Sequence, residues 1–336
     1  MRSALRLSIL LGLALALAAP SGSAAAAPVK IRAAWIATPA SLIPILFLKP
    51  GLAKHNGVTY DFEPLHFQST PTEISALAAG DIEIATLNFA SFPIAVENAG
   101  MTDLRIIADE TQDGAKGYAT VQYMVLNDGP IKKVADLKGR IVAVNGIGTG
   151  VDFGMRAYLL HHGMQFKRDY TMIEVPFPNM TAVLMDHKAD LVTEALPFVF
   201  DPKLQKNAHT LFTLKDGLGG SELSFWEARA GFIQKHRAAF VDLLEDTVRA
   251  YRWYSDPANH KEAVAILAKF TKQPAARLDW AFTKQDTYRD PDGLPNLAML
   301  QRNVNTVKEL GFIKTDLDMS KYLDLSMIKE GAARLK

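Results

Sequence analysis

Short apolar runs alternate with amphipathic stretches along most of the chain, and this alternation predicts an α/β fold. In the first part of the chain the apolar runs predict strands at 29–36, 59–67, 82–86 and 104–109. Helical spacing of the apolar residues predicts a helix at 42–54, despite Pro44 and Pro50. A second helix is predicted to start at Thr70, because Thr70 and Glu73 match the capping-box pattern.

A second set of strands and helices follows, and two crossings connect it with the first set. Strands are predicted at 141–144, 170–175 and 190–194, and helices in the last part of the chain most clearly at 237–254, 261–270 and 294–310. Strand-like runs at 120–126 and 223–230 are predicted to carry the chain between the two units. Two crossings predict two lobes joined by a two-strand hinge, with a cleft between them. We place lobe 1 in 27–117, lobe 2 including its crossing segments in 118–222, and the return to lobe 1 in 223–336.

The first 26 residues have the pattern of a cleaved signal peptide. Arg2 and Arg6 form a basic start, and residues 7–19 form an apolar core that is too short to span a bilayer. We place the cleavage after Ala26, because a cut one residue later would leave a proline directly behind the cleaved bond. The alternative is a retained membrane anchor. Cleavage would release a soluble protein into the periplasm.

The chain contains no cysteine. This excludes disulfides, thiolate metal sites, a cysteine nucleophile and a lipid-anchored N-terminus. The net charge of +1 becomes −1 without the signal peptide, which holds two arginines and no acidic residue. A nearly balanced charge provides no general attraction for nucleic acid or for an anionic membrane. Any anion must therefore be bound by local geometry.

A glycine-rich turn joins a predicted strand of the second lobe to a predicted helix. Gly146, Gly148 and Gly150 do not have the G-x-G-x-x-G spacing, and no Gly-Lys-Ser/Thr follows, so we predict neither a dinucleotide site nor a phosphate loop. We predict that the N–H groups of Gly148, Thr149 and Gly150, with the Thr149 hydroxyl, bind a solute. A compatible alternative is that Thr149 caps its own helix together with Asp152, whose charge would partly offset the attraction for an anion.

Four short segments carry a resemblance to a known family. Residues 130–144 read Pro-Ile-x-x-Val-x-Asp-Leu-Lys-Gly-Arg-x-Val-Ala-Val and lead into the glycine turn. Residues 76–85 follow an Ala-Leu-x-x-Gly-x-x-Asp-x-Ala pattern, 188–191 repeat part of it, and 231–236 contain a Phe-Ile-x-x-His element. In their order and spacing, these segments resemble the periplasmic substrate-binding proteins of the nitrate/sulfonate/taurine type, which deliver small solutes to ABC transporters. Thiamine-precursor synthases are similar to the same family.

The resemblance implies a type II periplasmic-binding-protein fold that holds a small, often anionic, organic solute such as a sulfonate or a carboxylate between its lobes. It implies the membrane permease subunits of an ABC importer as partners. We expect a monomer with no cofactor and no nucleic-acid partner. The chain departs from the family pattern where Glu83 replaces aspartate, Lys188 replaces glycine and Arg237 replaces proline.

Polar side chains at predicted strand ends are further candidates for binding the solute, together with a tryptophan in the predicted return crossing. They are Thr38, Ser41, Ser69, Asn88, Ser91, Asn179, Glu194 and Trp226. Helix capping is the alternative for the hydroxyl and amide groups, and we prefer it for Thr70. Glu194 suits a cationic group of the ligand, an interlobe hydrogen bond or a capping role. Trp226, like Trp35, suits either a ligand contact or the hydrophobic core.

The sequence has no arrangement typical of a catalytic site or a metal site. No Ser/His/Asp order or carboxylate pair stands out, and His161 and His162 end a helix without a third ligand at helical spacing. The alternative function is an enzyme on the same fold, similar to the pyrimidine-precursor synthases of thiamine biosynthesis. Those enzymes use a cofactor-bound lysine, a histidine and a cysteine-rich iron motif. A cysteine-free chain with an export signal does not fit them, so we predict a receptor.

We expect the mature periplasmic protein to begin at or near Ala27, because the basic start, the apolar core and the small residues direct cleavage there. N-terminal sequencing of protein released by osmotic shock measures this directly. An intact Met1 on a cytosolic protein would contradict the predicted localisation.

Overall fold

The computed structural model describes residues 27–336, so the predicted signal peptide and its cleavage point lie outside the described residues. The strands are β1 (Val29–Trp35), β2 (Tyr60–His66), β3 (Ala85–Leu87), β4 (Leu104–Asp113), β5 (Gln122–Leu126), β6 (Ile141–Val144), β7 (Thr171–Glu174), β8 (Leu191–Glu194), β9 (Ala208–Thr213) and β10 (Ser221–Arg229). The α-helices are α1 (Thr70–Ala79), α2 (Ser91–Glu97), α3 (Gly150–His161), α4 (Met180–Met185), α5 (Pro202–Asn207), α6 (Leu214–Leu218), α7 (Ala230–Lys235), α8 (Arg237–Ser255), α9 (His260–Thr271), α10 (Leu297–Glu309) and α11 (Ser326–Ala333).

Five strands lie side by side in lobe 1, in the order β2-β1-β3-β10-β4. β1 and β2 pair in parallel, and β10 pairs antiparallel with both β3 and β4. An isolated bridge joins the two parts, where the N–H of Ala34 donates to the carbonyl of Ile84 over 2.9 Å. The sheet is therefore loosely connected between β1 and β3.

Lobe 2 repeats this arrangement in the order β7-β6-β8-β5-β9. β6 pairs in parallel with β7 and β8, and β5 pairs antiparallel with β8 and β9. Each lobe thus has four strands that run in the same direction, and one antiparallel strand is inserted before the last of them. The α/β class and the two-lobed arrangement predicted from the sequence are confirmed.

The chain crosses between the lobes in 114–121 and again in 214–220. The run at 120–126, predicted as the first crossing, mostly forms β5 within lobe 2. The run at 223–230, predicted as the return crossing, belongs almost entirely to β10 in lobe 1. The exact lobe boundaries stay a prediction.

The helix predicted at 42–54 is not formed, and the chain makes successive turns there instead. The N–H of Ile45 donates to the carbonyl of Leu42 over 2.9 Å, and the N–H of Leu48 donates to the carbonyl of Ile45 over 3.1 Å. The two prolines in this segment have no N–H and disfavour a continuous α-helix. Because the turns still bury five aliphatic side chains, the segment keeps a helix-like spacing of apolar residues without the helix.

The capping box predicted at Thr70 and Glu73 is not formed either. α1 starts at Thr70, where the N-cap was predicted, so Ser69 is the N-cap instead. The Ser69 side chain makes no capping hydrogen bond. Glu73 is buried and accepts the backbone N–H of Thr86 over 2.7 Å. A tertiary hydrogen bond therefore replaces the local one.

Long helices of the C-terminal part cover lobe 1, and the predictions at 237–254, 261–270 and 294–310 are confirmed by α8, α9 and α10. α8 is buried along one face, where the hydroxyl of Tyr251 donates to the carbonyl of Asp109 over 3.2 Å. Among the described residues, no helix combines the length and the apolar character needed to cross a bilayer.

We expect Gly331→Ala to destabilise the protein by about 1–3 kcal/mol. A Cβ at Gly331 in α11 would lie 2.7 Å from the backbone nitrogen of Glu245 in α8, so the two helices would have to separate. Chemical denaturation measures the change in the free energy of unfolding. The matched control is Gly231→Ala in α7, where a Cβ would meet no atom within 4 Å. Equal stability of the two variants would contradict the close packing of α8 on α11.

Candidate functional site

A cavity of about 110 Å³ lies between the lobes. It lies at the carboxyl ends of β1, β3, β6 and β8, where open α/β sheets bind ligands. One water needs roughly 10–15 Å³ by the same measure, so the cavity accepts a small molecule. Its polar lining residues are Ser41, Thr70, Thr86, Asn88, Glu110, Thr111, Asn145, Thr149 and Ser224, and the others are Ile36, Ala37, Ala40, Val121, Gly150, Val151, Phe177, Ala195, Leu196 and Leu223.

Glu110 is the charged side chain that lines this cavity. The hydroxyl of Ser41 donates to Glu110 Oε1 over 2.5 Å, and the hydroxyl of Ser224 donates to Oε2 over 2.8 Å. Burial raises the pKa of Glu110, and these two hydroxyls oppose the rise. Each carboxylate oxygen is thus held in an accepting role beside the cavity.

A β-bulge places Glu110 in this position. Along β10, Ser224 pairs with Thr111 and the next residue, Phe225, pairs with Asp109, so Glu110 has no partner on the neighbouring strand. Bulges of this kind redirect side chains beside functional sites. The bulge turns a charged residue of a buried strand toward the cleft.

Two further buried carboxyl groups lie behind Glu110, on either side of β3. Glu73 accepts the Thr86 N–H over 2.7 Å, and Glu227 accepts the Leu87 N–H over 2.9 Å. Burial raises the pKa of both groups, and the charge of Glu110 raises them further. Three carboxyl groups are therefore clustered at and behind the lobe 1 wall of the cavity.

The glycine turn forms the opposite wall and performs the capping role predicted as an alternative. The hydroxyl of Thr149 accepts the N–H of Asp152 over 3.3 Å, and it donates to the carbonyl of Gly146 over 2.8 Å. Gly148 has a positive φ of 88°, which favours glycine, but its N–H donates to Asp152 Oδ2 over 2.9 Å. Thr149 and Gly150 line the cavity, whereas Gly148 does not.

Of the residues predicted from the sequence, the structure brings Ser41, Asn88, Thr149 and Gly150 to the cavity. The others lie outside its lining: Thr38, Ser69, Ser91, Gly148, Asn179, Glu194 and Trp226. Ser91 contributes to the site indirectly, through a residue that lines the cavity. The Ser91 hydroxyl accepts the Asn88 N–H over 3.0 Å, and Asn88 Oδ1 accepts the Ser91 N–H over 2.9 Å, so the two side chains fix one turn.

The remaining predicted residues differ in their surroundings. Ser69 lies against the glycine turn, where a Cβ at Gly146 would be 2.9 Å from Ser69 Cβ. Thr38 is buried beside the cavity loop, and Asn179 is exposed at the start of α4. Trp226 is fully buried in lobe 1, where it stacks on Phe62 with 6.3 Å between ring centroids, as expected of a core residue.

Sequence reasoning missed Glu110, Ser224, Thr70 and Thr86 as lining residues. Glu110 and Ser224 lie inside long paired strands, and the bulge that exposes them depends on the register between β4 and β10. The acidic residues within the apolar run that forms β4 were the available signal, because a strand interior rarely carries them.

Glu194 ends β8 and is buried, and neither carboxylate oxygen has a hydrogen-bond partner among the described residues. Burial raises the pKa of Glu194 to about 8, and the charge of Asp201 adds to the rise. The structure therefore provides neither the interlobe hydrogen bond nor the capping bond considered from the sequence. The two residues that follow it, Ala195 and Leu196, line the cavity.

One group of side chains outside the cleft resembles a metal site. The ligand atoms of His55, Asp242 and Glu245 lie within 4.8 Å of one another. Arg334 lies 2.9 Å from Asp242, and Arg249 lies 2.5 Å from Glu245. Because arginines already pair with both carboxylates, the cluster is an ion-pair network on the surface of lobe 1.

Comparison with known proteins agrees with this architecture. The sequence profile of the NMT1-like family matches residues 24–268. The alkanesulfonate-binding protein SsuA from Xanthomonas axonopodis pv. citri, solved with MOPS, superposes with a TM-score of 0.71 at 15% identity, over 90% of this chain and 100% of that chain. The periplasmic nitrate-binding protein NrtA from Synechocystis PCC 6803 has a TM-score of 0.69 at 18% identity, over 92% and 89% of the two chains.

A desulfurization enzyme, DszB, has the same fold with a TM-score of 0.62 at 14% identity, over 92% of this chain and 100% of that chain. At these identities the structural likenesses establish the fold, which is that of the periplasmic binding proteins. No curated protein sequence matches the chain significantly.

We expect Glu194→Gln to change how stability depends on pH. Because the folded-state pKa is raised to about 8, the stability contributed by Glu194 is complete below its ordinary pKa and is lost as the pH rises through 8. One pKa unit corresponds to about 1.4 kcal/mol, so the variant should match the wild type at about pH 4 and exceed it by a few kcal/mol at about pH 9. Urea denaturation at both pH values measures the difference.

The control for this measurement is Glu309→Gln, because Glu309 is exposed at the end of α10. The control should show no such pH dependence. Parallel curves for the wild type and Glu194→Gln would contradict the raised pKa.

Proposed function

Because the chain belongs to the NMT1-like family, we propose that it is the solute-binding receptor of an ABC importer. It captures a small organic solute between its lobes and delivers it to the membrane permease. The observation that carries the proposal is the cavity itself, since residues of both lobes line it.

Contacts across the cleft are consistent with a closed state. A Cβ at Gly150 in lobe 2 would lie 3.2 Å from Asn88 Cγ and from Phe89 Cε1 in lobe 1. Farther out, the rings of Phe153 and Phe312 have centroids 4.2 Å apart. These contacts would have to break before a solute of any size could leave, so binding and closure are coupled in the proposed mechanism.

An aromatic pair closes the other side of the cleft. Phe200 in lobe 2 packs on Trp280 in lobe 1, with 4.6 Å between centroids. A groove of about 870 Å³ lies beside this pair, lined by residues within 197–202 and 273–285. In the proposed mechanism this groove is the outer surface of the closed cleft on this side of the molecule.

The neighbours' ligands support the class of function and not the identity of the solute. SsuA is named for alkanesulfonate and NrtA for nitrate, and both are binding proteins on this fold. An exported, monomeric receptor in the periplasm, with permease subunits as partners, is consistent with those neighbours and is part of the proposal.

An enzyme on the same fold is the second candidate, and the likeness to DszB supports it. That likeness is weaker than the likeness to the binding proteins. Among the described residues, no histidine or lysine lines the cavity, so the bases and amines that usually serve covalent catalysis are not assembled there. The receptor therefore explains the cavity better.

Small-angle scattering tests the receptor mechanism. The protein purified from the periplasm should release a bound small molecule on mild denaturation, which native mass spectrometry detects. Stripped protein should have a larger radius of gyration than protein to which the released molecule has been returned, because the lobes open. Identical scattering curves together with no released molecule would contradict the proposal.

We expect Gly150→Val to weaken solute binding at least about tenfold without a comparable loss of stability, because the new side chain would hold the lobes apart at Asn88 and Phe89. Gly231→Val is the matched control, since a Cβ at this position would meet no atom within 4 Å. Calorimetric titration with the co-purified molecule measures affinity. Unchanged affinity in Gly150→Val would show that binding does not require closure at this point.

A further inference from the structure

The lining of the cavity accepts hydrogen bonds more than it donates them. The hydroxyl protons of Ser41 and Ser224 are directed at Glu110. The hydroxyl of Thr86 donates to Glu73 over 3.1 Å, and the hydroxyl of Thr149 donates to the carbonyl of Gly146 over 2.8 Å. All four hydroxyls are left with lone pairs, and a ligand that meets them must supply the protons.

The charge of the lining also favours a ligand that donates hydrogen bonds. Glu110 lines the cavity, and no lysine, arginine or histidine is among the described residues that line it. Glu73 and Glu227 do not line the cavity, and burial, together with the charge of Glu110, raises the pKa of both and favours their neutral forms. An anion placed here would face the Glu110 carboxylate, and no cationic side chain of the described lining would balance it.

Arg289 is the buried cation whose charge acts on Glu110, and it does not line the cavity. Its Nη2 donates to the backbone carbonyls of 39–40 over 3.1 and 2.9 Å. Burial raises the pKa of Asp109 and of Asp286, and the same charge opposes both rises. One guanidinium is thus shared among three buried acids, which leaves the wall short of positive charge.

The helix N-terminus on the opposite wall does not restore an anion site. Asp152 is buried in the first turn of α3, accepts the Gly148 N–H over 2.9 Å, and pairs with Arg156 over 2.6 Å. A carboxylate in the first turn already interacts with the positive end of the helix dipole. The amide of Asn145 and the first-turn N–H groups remain as donors for a neutral acceptor on the ligand.

We propose, on the basis of the receptor function inferred above, that the solute is an organic cation or other N–H donor with an apolar body, and not an oxyanion. Its N–H group binds Glu110 and the hydroxyls of Ser41 and Ser224. Its apolar part packs on the wall formed by Val151, Phe177 and Leu196 of lobe 2. This class differs from the sulfonate or carboxylate that the family resemblance implies.

A series of probes with the same carbon skeleton tests the proposal. Butylammonium, butyramide, butyrate and butanesulfonate are added at equal millimolar concentrations to ligand-free protein, and thermal stabilisation and the radius of gyration are measured. We expect the ammonium to raise Tm most and the amide less, with both compacting the protein. The two anions should do neither.

The variant Glu110→Gln should lose at least about tenfold in affinity for butylammonium, because a charge-assisted hydrogen bond is removed. The matched control Glu227→Gln makes the same chemical change in a buried residue that does not line the cavity, and it should keep the preference. Melting curves of both variants without probe show that they fold.

Stabilisation and compaction by butanesulfonate or butyrate in preference to the ammonium would overturn the inference and leave the receptor function standing. An equal loss of ammonium binding in Glu227→Gln would also overturn it, because the effect would then not depend on the cavity wall. Failure of every probe, while the co-purified molecule is released and proves to be an anion, would reject the cation and support the receptor. Failure of every probe with no co-purified molecule would count against both.

Discussion

The antiparallel pairing of β4 with β10 is the constraint on which the site depends. Ser221, at the start of β10, pairs with Asp113, at the end of β4, so both crossings leave lobe 1 from the same place. Asp113 accepts the Thr120 hydroxyl over 2.5 Å and the Val121 N–H over 2.8 Å, which orders the first crossing. Two adjacent crossings form a hinge, and the carboxyl ends of the remaining strands then face each other across it.

The same strand pair determines the polarity of the cavity. Burying a carboxyl group is costly unless donors surround it. Glu110 is surrounded by Ser41 and Ser224, Glu73 by the N–H and hydroxyl of Thr86, and all of these lie on or beside the lobe 1 sheet. The acceptors of the site are therefore held by the rigid scaffold. A ligand does not have to order them, which lowers the entropic cost of binding.

The sequence predicted those features that depend on local pattern. Strand and helix alternation, the long C-terminal helices and the polar residues just after strand ends are all local, and Ser41, Asn88, Thr149 and Gly150 were found in this way. Glu110 was not found, because its exposure to the cleft depends on a register shift between strands more than a hundred residues apart. The capping box at Thr70 failed for a similar reason, since Glu73 binds Thr86 on a neighbouring strand.

The first turn of α3 determines how the glycine turn would act on a charged ligand. A helix N-terminus aimed at the cleft favours an anion when its first turn carries no acid. Here Asp152 occupies that turn, and its negative charge offsets the positive end of the helix dipole. Glu110 lines the cavity from the other lobe, and its charge also opposes the binding of an anion. In the proposed receptor the fold sets the position of the solute, and these two carboxylates disfavour an anion there. Likeness to the sulfonate-binding and nitrate-binding proteins therefore establishes the fold of this chain, and the charge of the solute has to be read from the site.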